Sequence, residues 1–293
     1  MLGIVIGALA GVILSFADAG KKALTGFFSP EAIIVITMVF GITINLIYLS
    51  IVGFPEVSWP DVWLPVLVFG ALAAIGEGLF MYGLRSGDLS LVTPLLAFVP
   101  VVAGVFDYVL FSQLPTGLGA LGVVVIVLGA YLLSIKRPLS SNLFRPFLQL
   151  LEEKGCRLVL LSVLIGGALF VGQRFGTQHS SPVLFVTLTL VVDCLVFLLL
   201  GLRLGFRIPH TRFDRNAFMM TVGTGLSWGI GITLMYLSYH YTLGAYASSA
   251  QQVQIPCAIV LGALLFKEES FKQRIAAGLI MCVGVVLVSL SEM

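Results

Sequence analysis

Charge is what this chain has least of. Its 293 residues include 16 Lys and Arg, 14 Asp and Glu and 3 His, so 10% is charged and the net charge is +2. A soluble chain of this length needs a polar shell over its core, and so few charged residues cannot make one. The small net charge leaves no basic footprint for nucleic acid. Cysteine is scarce too: Cys156, Cys194, Cys257 and Cys282 are scattered, without CxxC or His-paired spacing, so their pattern carries no metal motif. There is no GxxxxGK[ST] loop and no HExxH pair, which argues against direct ATP power and zinc-type hydrolysis. His179, His210 and His240 stand apart at the ends of apolar runs, and Ser248-Ser249 has no nearby His to act as a base.

Apolar sequence fills the space instead, at 59% of the chain. About 20 mostly apolar residues cross a hydrocarbon core of about 30 Å. Stretches of that order lie near residues 2–20, 32–52, 63–84, 89–111, 118–134, 158–176, 182–202, 217–238, 245–266 and 275–290. The first has no basic residue before it and Ala17-Asp18-Ala19 is a poor cleavage site, so it is read as a helix rather than a signal peptide. Helices satisfy their backbone internally, and the alternating strands of a barrel are absent. The expected fold is an all-α membrane protein with ten transmembrane helices.

Basic residues are distributed unevenly. Every one of the 16 except Arg174 falls in an odd-numbered connection between these stretches, Lys21 and Lys22 in the first. Under the positive-inside rule the odd loops face the cytoplasm and both termini lie outside. The longest connection, residues 135–157, reads as a linker. Its segment from Asn142 to Leu151 also has the composition of an interfacial stretch.

The second half repeats the first. Lys22 and Ser29-Pro30 recur as Arg174 and Ser181-Pro182 at an offset of 152, and Met81-Tyr82 recurs as Met235-Tyr236 at 154. Phe111, Gly129 and Ser134 match Phe266, Gly284 and Ser289 at 155. Such an ordered drift is what small loop insertions produce. The chain therefore divides into repeats 1–134 and 158–293 around the linker. Five spans per repeat is an odd number, so the two units enter the membrane in opposite directions. Inverted repeats of this kind rock about a site near the bilayer midplane, the arrangement of a carrier.

The run Leu84-Arg85-Ser86-Gly87-Asp88-Leu89-Ser90-Leu91-Val92-Thr93-Pro94, continuing to Val101, resembles the EamA-like family of the drug/metabolite transporter superfamily. The second copy, Leu261-Gly262-Ala263-Leu264-Leu265-Phe266-Lys267-Glu268-Glu269 with Gly278 and Gly284, is similar to the family's acidic turn between the last two helices of a half. The first half departs from it, with Phe111-Ser112-Gln113-Leu114 at the equivalent place. The resemblance implies a cavity lined by spans 1, 3, 4, 6, 8 and 9, containing Asp18, Glu77, Asp107, Arg174, Trp228 and Gln251. It leaves Asn45 and Asp193, on spans 2 and 7, as helix-packing groups. It also implies cytoplasmic termini, against the charge distribution.

Polar groups inside apolar helices ask for a partner or a task. Glu77 lies mid-span among Ala73, Ala74, Gly76 and Gly78, and is the first candidate to bind a proton or a cationic group; a hydrogen bond to a neighbouring helix is the alternative. Asp107 shares a helical stripe with Thr93, Ala97, Pro100 and Gly104. Pro94, Pro100 and Pro256 loosen the fourth and ninth spans, because each removes a backbone donor. Ser248, Gln251 and Gln254 fall on one face of the ninth span with Gln252 beside them, and amides there bond across helices or line a cavity. Trp228, with Glu77, Asp107, Gln251 and Gln254, completes the expected substrate-binding set. Asp18 and Lys22 are spaced for an internal salt bridge. They are also candidates, with Arg174, Tyr82 and Tyr236, for the pathway and its coupling.

These readings converge on a secondary transporter of a small metabolite, without a metal or a cofactor. A passive channel or lipid-translocating protein is the alternative, and a membrane-embedded enzyme a more distant one. Intramembrane carboxylates suit proton coupling and equally a cationic or zwitterionic substrate. The expected partners are the metabolite, protons and membrane lipid, in a plasma (inner) membrane, with the chain a monomer or homodimer.

Overall fold

Backbone donors and acceptors buried away from water must pair within their own segment, and the described residues answer with helix almost everywhere. The computed structural model describes residues 1–57, 59–86, 93–112, 116–134, 153–204, 215–266 and 271–291. Its first half contains α1 (Leu2–Leu24), α2 (Pro30–Val52), α3 (Trp59–Ser86), a 3-10 helix (Thr93–Phe98), α4 (Val99–Phe111) and α5 (Gly117–Ser134). The second half contains α6 (Lys154–Gln178), α7 (Pro182–Leu204), α8 (Arg215–Tyr241), α9 (Gly244–Gln251), α10 (Gln254–Phe266) and α11 (Phe271–Leu290). Most of the 135–157 linker, the residues 87–92 and the acidic turn at 267–269 lie outside the described residues.

The local chemistry explains the ends. Ser29 caps α2, its Oγ accepting from the Ala32 N–H, while Pro30 occupies the first turn where its missing donor costs nothing. Pro182 opens α7 in the same way. The two expected helix breaks take different forms. A 3-10 segment precedes α4, whose first turn holds Pro100, and a two-residue interruption at Gln252 and Val253 separates α9 from α10, where Pro256 is the third residue. Pro100 and Pro256 thus begin helices instead of bending continuous ones.

Five of the described helices are long and apolar enough to cross a membrane: Leu2–Leu24, Pro30–Val52, Trp59–Ser86, Pro182–Arg203 and Arg215–Tyr241. The described surface is strongly apolar, and polar and charged side chains are buried within an otherwise apolar interior. Ile51, Leu64, Leu202 and Leu264 are exposed, whereas Asp18, Lys21, Asn45, Asp107, Gln173 and Asp193 are buried. Water would invert that arrangement, so the surrounding solvent is lipid.

The halves interlock rather than sit side by side. Helix α1 packs along α8, with Gly3, Leu14 and Gly20 against Thr242, Gly231 and Thr224, so the two run antiparallel. The equivalent pair, α3 with α6, is also antiparallel: Gly83 meets Val159, and Gly76 meets Ile165. The last helix of one half, α5, runs against the last of the other, α11, with Gly122 and Gly284 so close that a Cβ on either would lie 2.7 Å from the other's carbonyl oxygen. Small residues at crossings let backbones approach, the main source of association where lipid supplies no hydrophobic drive. Exchanging the two halves preserves these pairings.

Candidate functional site

A cavity of about 210 Å³ opens where the halves meet. Helices α1, α3, α6, α7 and α8 wall it, together with the 3-10 turn, the start of α4 and the interruption between α9 and α10. Its apolar walls include Leu14, Phe80, Leu169 and Phe170, and its polar groups include Asp18, Lys21, Glu77, Gln173, Asp193, Trp228, Tyr236, Gln251, Gln252 and Gln254.

Most of these polar groups are joined in three clusters. In the first, Lys21 Nζ lies 2.5 Å from Glu77 Oε1 and 5.0 Å above the centre of the Trp228 ring. Lys21 is 1% exposed, so this ammonium is held by one carboxylate and one aromatic face. In the second, Gln254 Nε2 donates to Asp18 Oδ2, and Gln251 Nε2 donates to Gln254 Oε1 over 3.4 Å. In the third, Gln173 Nε2 donates to the Tyr236 hydroxyl at 2.5 Å, and that hydroxyl also lies 3.2 Å from Thr189 Oγ1. Lys21 and Gln173 are equivalent in the two repeats, at the offset of 152. Each reaches from the first helix of its half to the third, one as an ion and the other as an amide.

Comparison with known proteins adds the decisive observation. A model of the EamA-like transporter family matches residues 1–135 and again residues 153–290. This chain belongs to the EamA-like transporter family. The family is one of membrane transporters in the drug/metabolite superfamily, and the protein is accordingly a multi-pass membrane protein. No curated protein matches the chain closely enough to lend it an activity. A crystal structure of a protein with 14% sequence identity superposes with a TM-score of 0.66 over 99% of this chain and 96% of that one, a likeness of fold alone.

Within this EamA-like fold, Glu77, Trp228, Gln251, Gln254, Asp18 and Tyr236 all line the cavity. Other expected site residues are elsewhere. Asp107 is fully buried, and its Oδ2 accepts the Ala245 N–H at 3.0 Å, at the start of α9. The same helical stripe that suggested a cavity position aims it at a helix end, where a carboxylate satisfies an orphan donor. Replacing it by Ala should lower stability by about 1–2 kcal/mol while leaving ligand affinity unchanged, as a denaturation series paired with a binding titration would check. A loss of affinity without a loss of stability would return Asp107 to the site.

Lys22 makes no bridge to Asp18; its Nζ donates to the Leu84 carbonyl at 3.3 Å. Tyr82 donates to Glu31, joining α3 to α2 away from the cavity, although its repeat partner Tyr236 is inside. Ser248 is buried against the Ala245 carbonyl instead of facing the cavity. The side chains of Arg174 and Pro94 lie outside the described residues. Asn45, expected as a packing group, accepts from Thr233 Oγ1 at 2.7 Å.

Sequence reasoning missed two residues. A first span ending at residue 20 places Lys21 among the loop charges; α1 instead continues to Leu24 and buries it. The signal was available in the spacing of Leu14, Asp18 and Lys21, which share one helical face. Asp193, on the seventh span and expected as a packing group, lines the cavity. No periodicity in α7 distinguishes a carboxylate facing a cavity from one facing a neighbouring helix.

Proposed function

We propose that this protein is a secondary transporter that carries a small metabolite across the plasma (inner) membrane by alternating access. Its ten membrane-crossing segments then form two inverted five-helix units, with both termini outside as the basic loops require. The observation that carries this reading is the cavity: both halves contribute polar walls to one small space inside an apolar exterior. The antiparallel contact between α5 and α11, equivalent helices of the two units, supports the inversion. The cavity is complete within one chain, so a monomer suffices.

Rocking of the halves would expose the cavity first to one side and then to the other. The paired Lys21 and Glu77 are suited to that cycle, because they neutralise each other while the space around them is closed. Protonation of Glu77 or arrival of a charged substrate competes with the pair, which gives the cycle a route to proton coupling. The test is counterflow in proteoliposomes loaded with a candidate metabolite. Exchange that saturates with concentration is expected; leak that rises without saturation would indicate a channel and remove the carrier reading.

A further inference from the structure

The cavity is unbalanced in charge and in hydrogen bonding. Among the described residues its walls hold three acidic side chains, Asp18, Glu77 and Asp193, and one ammonium, that of Lys21. That ammonium is committed to Glu77. The amide cluster is polarised by Asp18. A carboxylate is an acceptor only, so Gln254 must turn its NH2 group toward Asp18 and present its oxygen to the NH2 group of Gln251. The relay therefore ends in an acceptor, Gln251 Oε1, which is buried and has no hydrogen-bond partner among the described residues. Asp193, which also lines the cavity, has its Oδ1 in the same condition, and the residue is 3% exposed. Its counterpart in the first half, at the offset of 152, is Gly41, so the carboxylate belongs to one side of the cavity only.

Both unsatisfied atoms are oxygens of side chains that line the cavity, one a carboxylate and one an amide carbonyl, and both accept hydrogen bonds. A buried acceptor without a donor is costly, and the group missing from this cavity is therefore a donor. The walls already show how they treat one form of it: the Lys21 ammonium rests between a carboxylate and the face of Trp228. The volume, below that of sites for drug-sized molecules, limits the occupant to a small one.

We propose that the cavity receives a small organic ammonium ion, whose N–H groups bind the carboxylate of Asp193 and the side-chain carbonyl of Gln251. This deepens the transport reading, on which it rests for calling that ion a substrate. An anionic metabolite would meet three carboxylates and leave both acceptors unpaired. A quaternary ammonium would bring the charge without the donors. Asp193 and Gln251 are accordingly specificity-determining residues, and Glu77 with Trp228 forms the neighbouring place where an ammonium is already held.

The test is calorimetric titration of the full-length protein in detergent with 2-phenylethylammonium, butylammonium, tetramethylammonium, 2-phenylethanol and phenylacetate. One primary ammonium is expected to bind about tenfold or more tightly than the alcohol, the carboxylate and the quaternary ion. Asp193→Asn should weaken that primary ammonium by a similar factor and leave the alcohol unaffected. Equal or tighter binding of phenylacetate, or failure of both primary ammonium probes to bind, overturns the proposal without any variant being needed. Undiminished ammonium affinity in a folded Asp193→Asn protein overturns it as well. Ammonium binding without saturable counterflow of the same ion would remove the transport reading and leave the site standing. Saturable counterflow of phenylacetate with the ammonium ions inert would do the reverse.

Discussion

Glu77→Gln is expected to be among the most destabilising single changes available to this protein. The Lys21 side chain is 2% exposed, and its counter-ion is the Glu77 carboxylate at 2.5 Å. Removing that carboxylate takes the nearest counter-charge from a buried ammonium and leaves it the Trp228 face and the Asp18 carboxylate, at a cost of about 3–5 kcal/mol. Lys21→Met should cost less, because Glu77, at 21% exposed, is less completely buried than the lysine it would lose. The double variant Lys21→Met with Glu77→Gln should recover most of the lost stability, since replacing a whole buried pair by neutral groups is often close to neutral. Transport should not recover. Thermal unfolding of all three variants in detergent, with counterflow measured beside it, separates the two effects. A Glu77→Gln protein as stable as its parent would mean that the pair is not what holds Lys21 inside. Gradient-driven uptake by that variant with unchanged pH dependence would take Glu77 out of proton coupling.

Gly11→Ala should damage both the fold and the site. A Cβ at Gly11 would lie 2.4 Å from the Gln251 carbonyl oxygen and 3.1 Å from the Gln254 backbone nitrogen. Those atoms flank the interruption between α9 and α10, so no flexible side-chain end is available to move aside. Overpacking of this kind costs about 1–3 kcal/mol. It also pushes away the two residues whose amides form the relay from Asp18, so affinity for a cavity ligand should fall about tenfold. Gly223→Ala on α8 is the control. Nothing lies within 4 Å of its added carbon, and stability should be unchanged or rise by up to about 1 kcal/mol. Equal behaviour of the two variants would show that the close approach of α1 to the interrupted segment is unimportant. The comparison uses identical chemistry at both positions, so only the surroundings differ.

Much of the helix pattern was legible in the order of residues. The uninterrupted apolar run of α2, the Ser-Pro at its start and the repetition of that start at α7 are local signals, and local chemistry decides them. Glu77 could be singled out for a similar reason: an acid amid Ala and Gly in an apolar helix has no solvent to face. Asp107 and Asp193 show where legibility stops. Each is one carboxylate on one apolar helix, equally costly to bury. The first meets the N–H of Ala245 and the second meets a cavity. Which of these happens depends on what another helix places opposite, and no spacing within α4 or α7 encodes it. Lys21 and Lys22 differ by one position, about 100° around a helix. That rotation sends one to Glu77 and the other to the Leu84 carbonyl.

The sequence alone determined that lipid surrounds this chain, that it is helical throughout and that its halves repeat. These properties follow from composition and period, which survive without knowledge of any contact. Tertiary structure alone decided the contents of the central space: a buried lysine held by Glu77 and Trp228, an amide relay ending in an open acceptor, and Asp193 as its companion. The physical reason is that hydrogen-bond satisfaction is a property of pairs. Whether a buried atom is paired or left waiting for a ligand is settled only when the helix carrying its partner arrives.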